Sequence, residues 1–190
     1  MRNRAAPAAW FEACYRSRIM NAIDLLQRHH RKVEMIFKKL VSGRTEPEPL
    51  VIELANILVA HMAIEQEIFY PAVAKVDTFV VAESYEEHSL AEVALTRLIE
   101  SDPEDAVVFK ARVIAAREVL MHHIHEEEEQ LFKKVQRSIR SPQLEQLGRA
   151  MKTHFDEVYE AGYESVIPKT FKKTSADVAR RRVPALKRAA

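Results

Sequence analysis

A short pattern that occurs twice in the chain restricts the folds open to it. His61-Met-Ala-Ile-Glu65 and His123-Ile-His-Glu-Glu127 both read His-x-x-x-Glu. Residues four apart lie on one face of an α-helix, about one turn from each other. Each repeat is therefore predicted to aim an imidazole and a carboxylate at one point, and side chains on facing helices build metal sites in this way.

Composition supports a helical domain and places few limits on partners. Only 3 of the 190 residues are Gly, whereas 47% are hydrophobic and 30% are charged, which favours an all-α fold over a many-stranded sheet. The net charge of +1 indicates no particular partner. Cys14 has no partner for an internal disulfide, and residues 1–20 contain no signal-peptide core. Since no apolar stretch reaches about 18 residues, we expect no membrane span and a cytoplasmic protein.

Apolar residues recur at helical spacing in five stretches. The first stripe runs from Ile19 to Leu40, with His30 at its centre, and Ser42-Gly43 ends the helix. The other helices are predicted at residues 50–71, 78–100, 103–139 and 142–161, the last closed by Gly162. The predicted fold class is all-α, an antiparallel up-down four-helix bundle with an added C-terminal fifth helix.

The chain is predicted to divide into three parts. Residues 1–19 are an N-terminal extension, read either as sequence before an alternative start at Met20 or as a helical turn packed through Trp10, Phe11 and Tyr15. Residues 20–162 form the bundle domain with its fifth helix. Residues 163–190 are predicted to be a mobile basic tail, because from Lys169 onward eight Lys or Arg face a single acid, Asp177. We expect the tail to aid solubility rather than to contact nucleic acid or an anionic membrane.

Six side chains that bind metals occupy positions that the periodicity assigns to the core: His30, His61, Glu65, His88, His123 and Glu127. Burying an unpaired carboxylate costs several kcal/mol, so two of them among the imidazoles predict compensating cations. Imidazole together with carboxylate suits iron, manganese or zinc better than calcium or magnesium. The set contains no cysteine, which argues against thiolate zinc and iron–sulfur sites.

The order of the ligands also bears on reactivity. Ferritin-like di-iron bundles use Glu-x-x-His and are rich in carboxylates. The order here is His-x-x-x-Glu, and imidazoles dominate. Neutral nitrogen ligands leave more positive charge on the metals, which favours small anionic or reducible ligands such as dioxygen, peroxide or nitric oxide.

These motifs resemble the haemerythrin family, specifically its bacterial HHE cation-binding branch. The resemblance covers about residues 20–161 and includes the fifth helix around 144–151. It rests on four elements in the family's order: residues 21–33 (NAIDLLQRHHRKV), His61-x-x-x-Glu65 before Phe69-Tyr70-Pro71, Glu87-His88, and residues 122–127 (HHIHEE) before Leu131-Phe132. The resemblance implies an antiparallel four-helix bundle around two iron ions, a non-haem di-iron centre with oxo and carboxylate bridges.

The resemblance also implies a role for each ligand. Carried over by position, the terminal ligands are His30, His61, His88 and His123, while Glu65 and Glu127 bridge or chelate the irons. Oxygen-carrying members have a second helix-3 histidine, and this chain has Glu92 there, which makes Glu92 a candidate seventh ligand. Relatives with Asp-His on helix 1 are matched here by His29-His30, and the ligand is assigned to His30.

The remaining histidines are predicted to lie outside the metal site. His29, His122 and His125 point off the stripe towards solvent, and His154 is assigned to packing on the fifth helix. The aromatic residues near the motifs are interpreted as core, and some of them as the lining of a small access pocket.

The leading functional hypothesis is a haemerythrin-like di-iron protein that binds or reacts with dioxygen, peroxide or nitric oxide. The alternative is an iron- or oxygen-responsive sensor or interaction module that signals through metal-dependent stability of the bundle. Enzymatic removal of peroxide or nitric oxide is a third hypothesis, although no separate general acid or nucleophile is visible. A bundle without metal is the remaining reading. The sequence leaves the oligomeric state and the physiological ligand open.

Overall fold

The computed structural model describes residues 20–165. The predicted N-terminal extension, with its aromatic packing, lies outside the described residues, as do tail residues 166–190.

Five helices run through the described part of the chain. Helix α1 spans Ala22–Ser42, α3 spans Thr78–Ile99 and α5 spans Ser141–Ala161. Helix α2 comprises Pro47–Ile64, a π-helical turn at Glu65–Phe69 and a last α-helical turn at Tyr70–Val73. Helix α4 comprises Ala106–Glu126, a π-helical turn at Glu127–Leu131 and an α-helical end at Phe132–Ser138. No strand occurs between residues 20 and 165, and the predicted all-α bundle with a fifth helix is confirmed.

Local sequence sets where the helices begin and end. Asn21, Asp77 and Asp105 accept hydrogen bonds from backbone N–H groups three residues on, and so cap α1, α3 and α4. Gly43 ends α1 in the left-handed region, at φ 63°. Two predicted starts were misplaced by three residues: α2 begins at Pro47, whose missing N–H is harmless in a first turn, and α4 begins only after Asp105.

Two apolar clusters fill the bundle, one at each end. The lower cluster combines the C-terminal half of α1, the N-terminal half of α2, the C-terminal half of α3 and the N-terminal half of α4. The upper cluster combines the opposite halves and adds α5. This alternation shows that neighbouring helices run antiparallel, as the short connections between them require.

Helix α5 covers the groove between α1 and α2 at the upper end. Leu144 and Met151 are buried there with Ile23 and Leu26 of α1. Gly148 permits this close approach, because a Cβ at that position would lie 2.4 Å from the backbone oxygen of Met20. A side chain at residue 148 would therefore push α5 away from α1.

The folded domain extends slightly beyond the predicted boundary at residue 162. A 3₁₀ turn at Tyr163–Ser165 follows α5, and the Tyr163 N–H donates to the Asn56 side chain at 2.9 Å. The first residues assigned to the tail are thus part of the domain.

By length and hydropathy alone, one stretch of the described chain, Pro47–Val73, would suffice to cross a membrane. In the structure 61% of its most apolar window is buried within the bundle, which is also the position of an ordinary core helix.

Candidate metal centre

Six polar side chains lie between the two apolar clusters, in the middle of the bundle. They are the six that periodicity assigned to the core: His30 on α1, His61 and Glu65 on α2, His88 on α3, and His123 and Glu127 on α4. All are buried, and both carboxylates have no exposed surface at all. Each His-x-x-x-Glu repeat places its pair on one face of its helix, as predicted.

The donor atoms form two groups that share one carboxylate. In the first group the donor atoms of His30, His61, Glu65 and Glu127 all lie within 4.8 Å of one another, and in the second those of Glu65, His88 and His123 do. The Nε2 atoms of His30 and His61 are 3.1 Å apart, and those of His88 and His123 are 3.0 Å apart. We call the two imidazole pairs, with their surroundings, the α1–α2 half and the α3–α4 half.

The carboxylates face these nitrogens at distances typical of neighbouring metal ligands. Glu65 Oε2 is 3.3 Å from Nε2 of both His61 and His88, so this oxygen lies between the two halves. Glu127 Oε2 is 3.4 Å from Nε2 of His30 and 3.6 Å from Nε2 of His123. Each carboxylate therefore lies within reach of imidazoles from both halves, where it would hold a bound cation.

Without a cation these carboxylates would be poorly compensated. Among the described residues, neither oxygen of Glu65 has a hydrogen-bond donor, and neither does Glu127 Oε2. Burial, and then the charge of Glu127, raises the pKa of Glu65 well above 4.5. Burial also opposes ionisation of Glu127, but His123 and His30 hold its pKa at about 2. Cations would satisfy these oxygens, so the residues fit a two-metal centre.

Two of the imidazoles, His61 and His88, are held neutral by this environment, as metal ligands must be. Burial, followed by repulsion from His30, lowers the pKa of His61 well below 6.5. Burial, followed by repulsion from His123, lowers the pKa of His88 to about 3. For His30, the contacts with the carboxylates of Glu127 and Glu128 together outweigh the larger single effect of burial and raise the pKa. A bound cation would take the place of that proton.

Hydrogen bonds on the far side of each ring orient three of the four imidazoles. His30 Nδ1 donates to Glu128 Oε1 at 2.8 Å, and Arg31 binds the other oxygen of Glu128. His123 Nδ1 donates to Glu87 Oε2 at 2.8 Å.

Of the other two rings, His88 has an outer partner and His61 has none among the described residues. The Gln66 amide lies 3.0 Å from His88 Nδ1. His61 Nδ1 has no partner among residues 20–165. The three outer partners lie off the apolar stripes, and periodicity gave no sign of them.

Each ligand carboxylate begins a π-helical turn, and this irregularity brings a tyrosine into the centre. In a π-turn the N–H of residue i+5 bonds to the carbonyl of residue i, as Tyr70 does to Glu65. Both Phe69 and Tyr70 therefore point inward and are completely buried. The Tyr70 hydroxyl donates to Glu127 Oε1 at 3.0 Å and lies 3.1 Å from His88 Nε2. Burial, followed by the charge of Glu127, raises the pKa of Tyr70 well above 10, so the phenol keeps its proton.

A cavity of about 10 Å³ adjoins the four imidazoles on the side of the lower cluster, with roughly the room that one water molecule needs. Its other walls are apolar and come from α1, α2 and α4: Val33, Leu58, Met62, Leu120 and Ile124. Such a space admits a very small, weakly polar ligand and excludes larger ones.

The prediction that Glu92 is a seventh ligand is corrected by the structure. Its side chain is exposed, and it belongs to none of the converging groups. After His88 the buried stripe of α3 continues with Ala91 and Leu95, so the inward position passes to Ala91, which packs in the lower cluster. Partial burial raises the pKa of Glu92 but provides no route to the centre.

The predicted exposure of His29 is also corrected. It was expected to face solvent, yet it is buried, because α5 lies across this face of α1. Its ring stacks on Phe155 at 4.0 Å and meets His61 edge-on at 5.6 Å. The exposure predicted for His122 and His125 is confirmed. His154 lies outside the centre, as predicted, with Nε2 2.9 Å from Glu67 Oε2.

An antiparallel helical bundle with a buried His/Glu centre of this kind defines a cation-binding protein. The sequence profile of the haemerythrin HHE cation-binding domain matches residues 21–135. The chain belongs to this haemerythrin family, and the resemblance seen in its motifs is confirmed.

Comparison with individual proteins agrees on the fold. The chain is similar to the crystal structure of a haemerythrin HHE cation-binding domain-containing protein from Mycobacterium kansasii, with a TM-score of 0.66 and 24% identity over 74% of this chain and 88% of that one. It is also 31% identical over 134 residues to a DNA nickase from Nostoc sp. strain PCC 7120. That match spans 67% of this chain but only 37% of the nickase, so the name describes a longer protein.

Proposed function

We propose that this protein holds two iron ions in the centre and binds or reacts with dioxygen, peroxide or nitric oxide there, in the cytoplasm. The observation that carries the proposal is Glu65: a fully buried carboxylate, without hydrogen-bond donors in the described chain, lying between two pairs of imidazoles. Mixed nitrogen and carboxylate donors suit iron, manganese and zinc, and the resemblance to haemerythrins implies iron among these. When bound, iron would supply reversible one-electron chemistry.

The surroundings support a very small ligand. The cavity beside the imidazoles has about 10 Å³ and apolar walls, which suits a diatomic molecule better than an organic substrate. On the other side of the ligand layer, the protonated Tyr70 is held against Glu127 and His88. The protein would thus exclude bulk water and offer one hydrogen-bond donor beside the centre.

Metal analysis of the full chain tests this proposal. After anaerobic reconstitution we expect about two irons per chain, as in other di-iron bundles. The reduced protein should gain a near-ultraviolet charge-transfer band when exposed to air or nitric oxide. As a control, His125→Ala removes an exposed histidine of α4 and should leave the iron content unchanged. Fewer than about one iron in the wild-type protein would refute a di-iron centre.

A second candidate function is sensing through metal-dependent stability, and the uncompensated carboxylates favour it. If cations stabilise the ligand layer, their removal leaves Glu65 and Glu127 buried without compensation, and the bundle should open locally. Limited proteolysis of iron-loaded and iron-free protein distinguishes the two functions. New cleavage sites within residues 20–165 of the iron-free form support a switch, whereas identical patterns argue against one.

The basic tail is not part of either proposal. Its predicted lack of contact with nucleic acid concerns residues beyond 165 and stays a prediction. Because one relative is named a DNA nickase, incubation with supercoiled plasmid is a useful check, and relaxation of the plasmid would contradict that prediction.

A further inference from the structure

A third His-x-x-x-Glu pair lies on the outside of α4, one residue before the buried pair. It consists of His122, whose side chain is 66% exposed, and Glu126. Glu87 of α3 faces this pair across the helix interface. These three side chains take no part in the buried ligand layer.

The three side chains converge on one point. His122 Nε2 lies 3.4 Å from Glu87 Oε1 and 3.9 Å from Glu126 Oε1, and all three donor atoms fall within 4.8 Å of one another. The nearer contact is longer than the roughly 2.7–2.9 Å of a charge-assisted hydrogen bond. It matches the spacing of roughly 3.3–3.5 Å between donors that each lie about 2.1 Å from a tetrahedral zinc ion.

The same spacing occurs inside the buried centre. There the histidine nitrogens lie 3.3 to 3.6 Å from the carboxylate oxygens of Glu65 and Glu127. The outer group thus repeats, at the surface, the sequence pattern of the inner one, and its His122–Glu87 distance of 3.4 Å falls in the same range.

The side chain of Glu87 is held in a fixed position beside His122. One of its oxygens accepts the N–H of His123 at 2.8 Å, and the other is turned towards His122. Its side chain is only 13% exposed, so little further entropy would be lost when it binds a cation. The Gln130 amide lies 3.4 Å from Glu126 and donates to the same oxygen that faces His122.

We propose that Glu87, His122 and Glu126 form a second cation site, at the surface, for a divalent transition ion such as zinc. One nitrogen and two carboxylate oxygens come from the protein, and water completes the shell. Because Glu87 also accepts the His123 N–H, this outer site lies one carboxylate away from the buried centre.

Helix α4 provides a matched control for this site. His125 and Glu129 have the same i, i+4 spacing on an exposed face of the helix. Glu129 binds Lys133, and the pair belongs to none of the converging donor groups in the described residues. It therefore offers the same two side chains without the carboxylate from α3.

Zinc titration of the iron-loaded full chain, followed by calorimetry, tests the proposal. We expect one zinc per chain beyond the iron, and at least about tenfold weaker binding in the His122→Ala/Glu126→Gln double variant. The His125→Ala/Glu129→Gln double variant should bind zinc as the wild type does. Helicity and iron content measured on each variant show that the fold and the buried centre are intact.

The outcomes separate this proposal from the iron centre. Equal loss of zinc in both double variants, or no zinc bound beyond the buried centre, would overturn the outer site while leaving the iron result untouched. If the buried centre takes zinc instead of iron, the proposed function fails, yet the first double variant should still lose one zinc that the control keeps. Cobalt(II) in place of zinc should give a visible absorption spectrum that the first variant loses.

Discussion

The two halves of the centre have the same ligand types and different surroundings. In the α3–α4 half, His88 and His123 have outer partners in Gln66 and Glu87, and the Tyr70 hydroxyl reaches His88. In the α1–α2 half, His30 alone has an outer partner among residues 20–165. The residue corresponding to Tyr70 in the second repeat is Phe132, stacked on His30 at 5.8 Å.

This difference shows how a repeated motif yields two donor groups with unequal surroundings. Both repeats begin a π-turn at their glutamate, and each turns a ring inward five residues later. The ring of Tyr70 carries a hydroxyl and that of Phe132 does not. Within the described part of the chain, the α3–α4 half therefore has a hydroxyl donor beside it and the α1–α2 half has none. We therefore expect ligand chemistry to be centred on the α3–α4 half and the α1–α2 half to be the more structural one.

The largest effect should come from the carboxylate that the halves share. Glu65→Ala removes a donor from both groups, so bound iron should fall from about two to below one per chain. His88→Ala removes a donor from one group, and at least one iron should remain. Glu67→Ala is the control, because its carboxylate lies on the same π-turn and is exposed. Equal loss of iron in the Glu65 and His88 variants would show that the halves do not bind separately.

Tyr70→Phe tests the difference between the halves directly. The variant should keep its iron, but its reduced form should react with dioxygen or peroxide about ten- to a hundredfold more slowly, as when other groups that support metal ligands are lost. The physical reason is the loss of the donor beside His88 and Glu127. Stopped-flow absorbance measures the rate.

Tyr85→Phe is the matched control for this experiment. Tyr85 packs against Tyr70 at 5.2 Å, but its hydroxyl donates to the Gln66 carbonyl instead of the centre. If both variants slow equally, the effect comes from packing, and the assignment of the reactive half is wrong.

A smaller effect is expected at the outer partner of the α1–α2 half. Glu128→Gln replaces the charged acceptor of the His30 N–H by a neutral one, so iron should leave this half about tenfold faster. Competition with a chelator measures the rate. Glu34→Gln is the control, since Glu34 also binds Arg31 but contacts none of the imidazoles. Biphasic loss of iron, with only the faster phase affected, would agree with two unequal halves.

The sequence predicted the ligand layer because burial and spacing both follow helical periodicity. His30, His61, His88 and His123 occupy inward positions of regular helices, and a 3.6-residue period is sufficient to find them. The same periodicity does not settle Glu92. A residue four positions after His88 lies close to the inward face, but the buried stripe of α3 continues through Ala91 instead. Packing against the neighbouring helices decides whether the next inward residue lies three or four positions further along the helix.

Other features depended on structure that periodicity does not encode. Tyr70 enters the centre only because a π-turn shifts the phase of α2 after Glu65. The outer partners Glu87 and Glu128 lie off the apolar stripes, so periodicity assigned them no role beside the ligands. His29 depended on where α5 docks, which the helix pattern of α1 alone does not reveal. These are the long-range contacts that a single helix does not specify.

The last prediction concerns folding stability rather than iron binding. Helix α5 packs against the α1–α2 half, and it covers His29 there. Burial, followed by repulsion from His30, lowers the pKa of His29 from 6.5 to about 4 in the folded protein. As the pH falls from 6.5 to 4, the unfolded chain therefore takes up a proton that the folded chain does not, and stability is lost through this window. Above pH 6.5 His29 is neutral in both states, so none of this stability is lost.

His29→Leu should flatten that loss by up to about 3 kcal/mol across the window. Urea denaturation of iron-free protein, at several pH values above and within the window, measures it for wild type and variant. His125→Leu, at an exposed position of α4, should leave the slope unchanged. A wild-type slope that persists in His29→Leu would mean that α5 does not shield this ring from water in solution. The α1–α2 half would then lack the cover that distinguishes it from its counterpart.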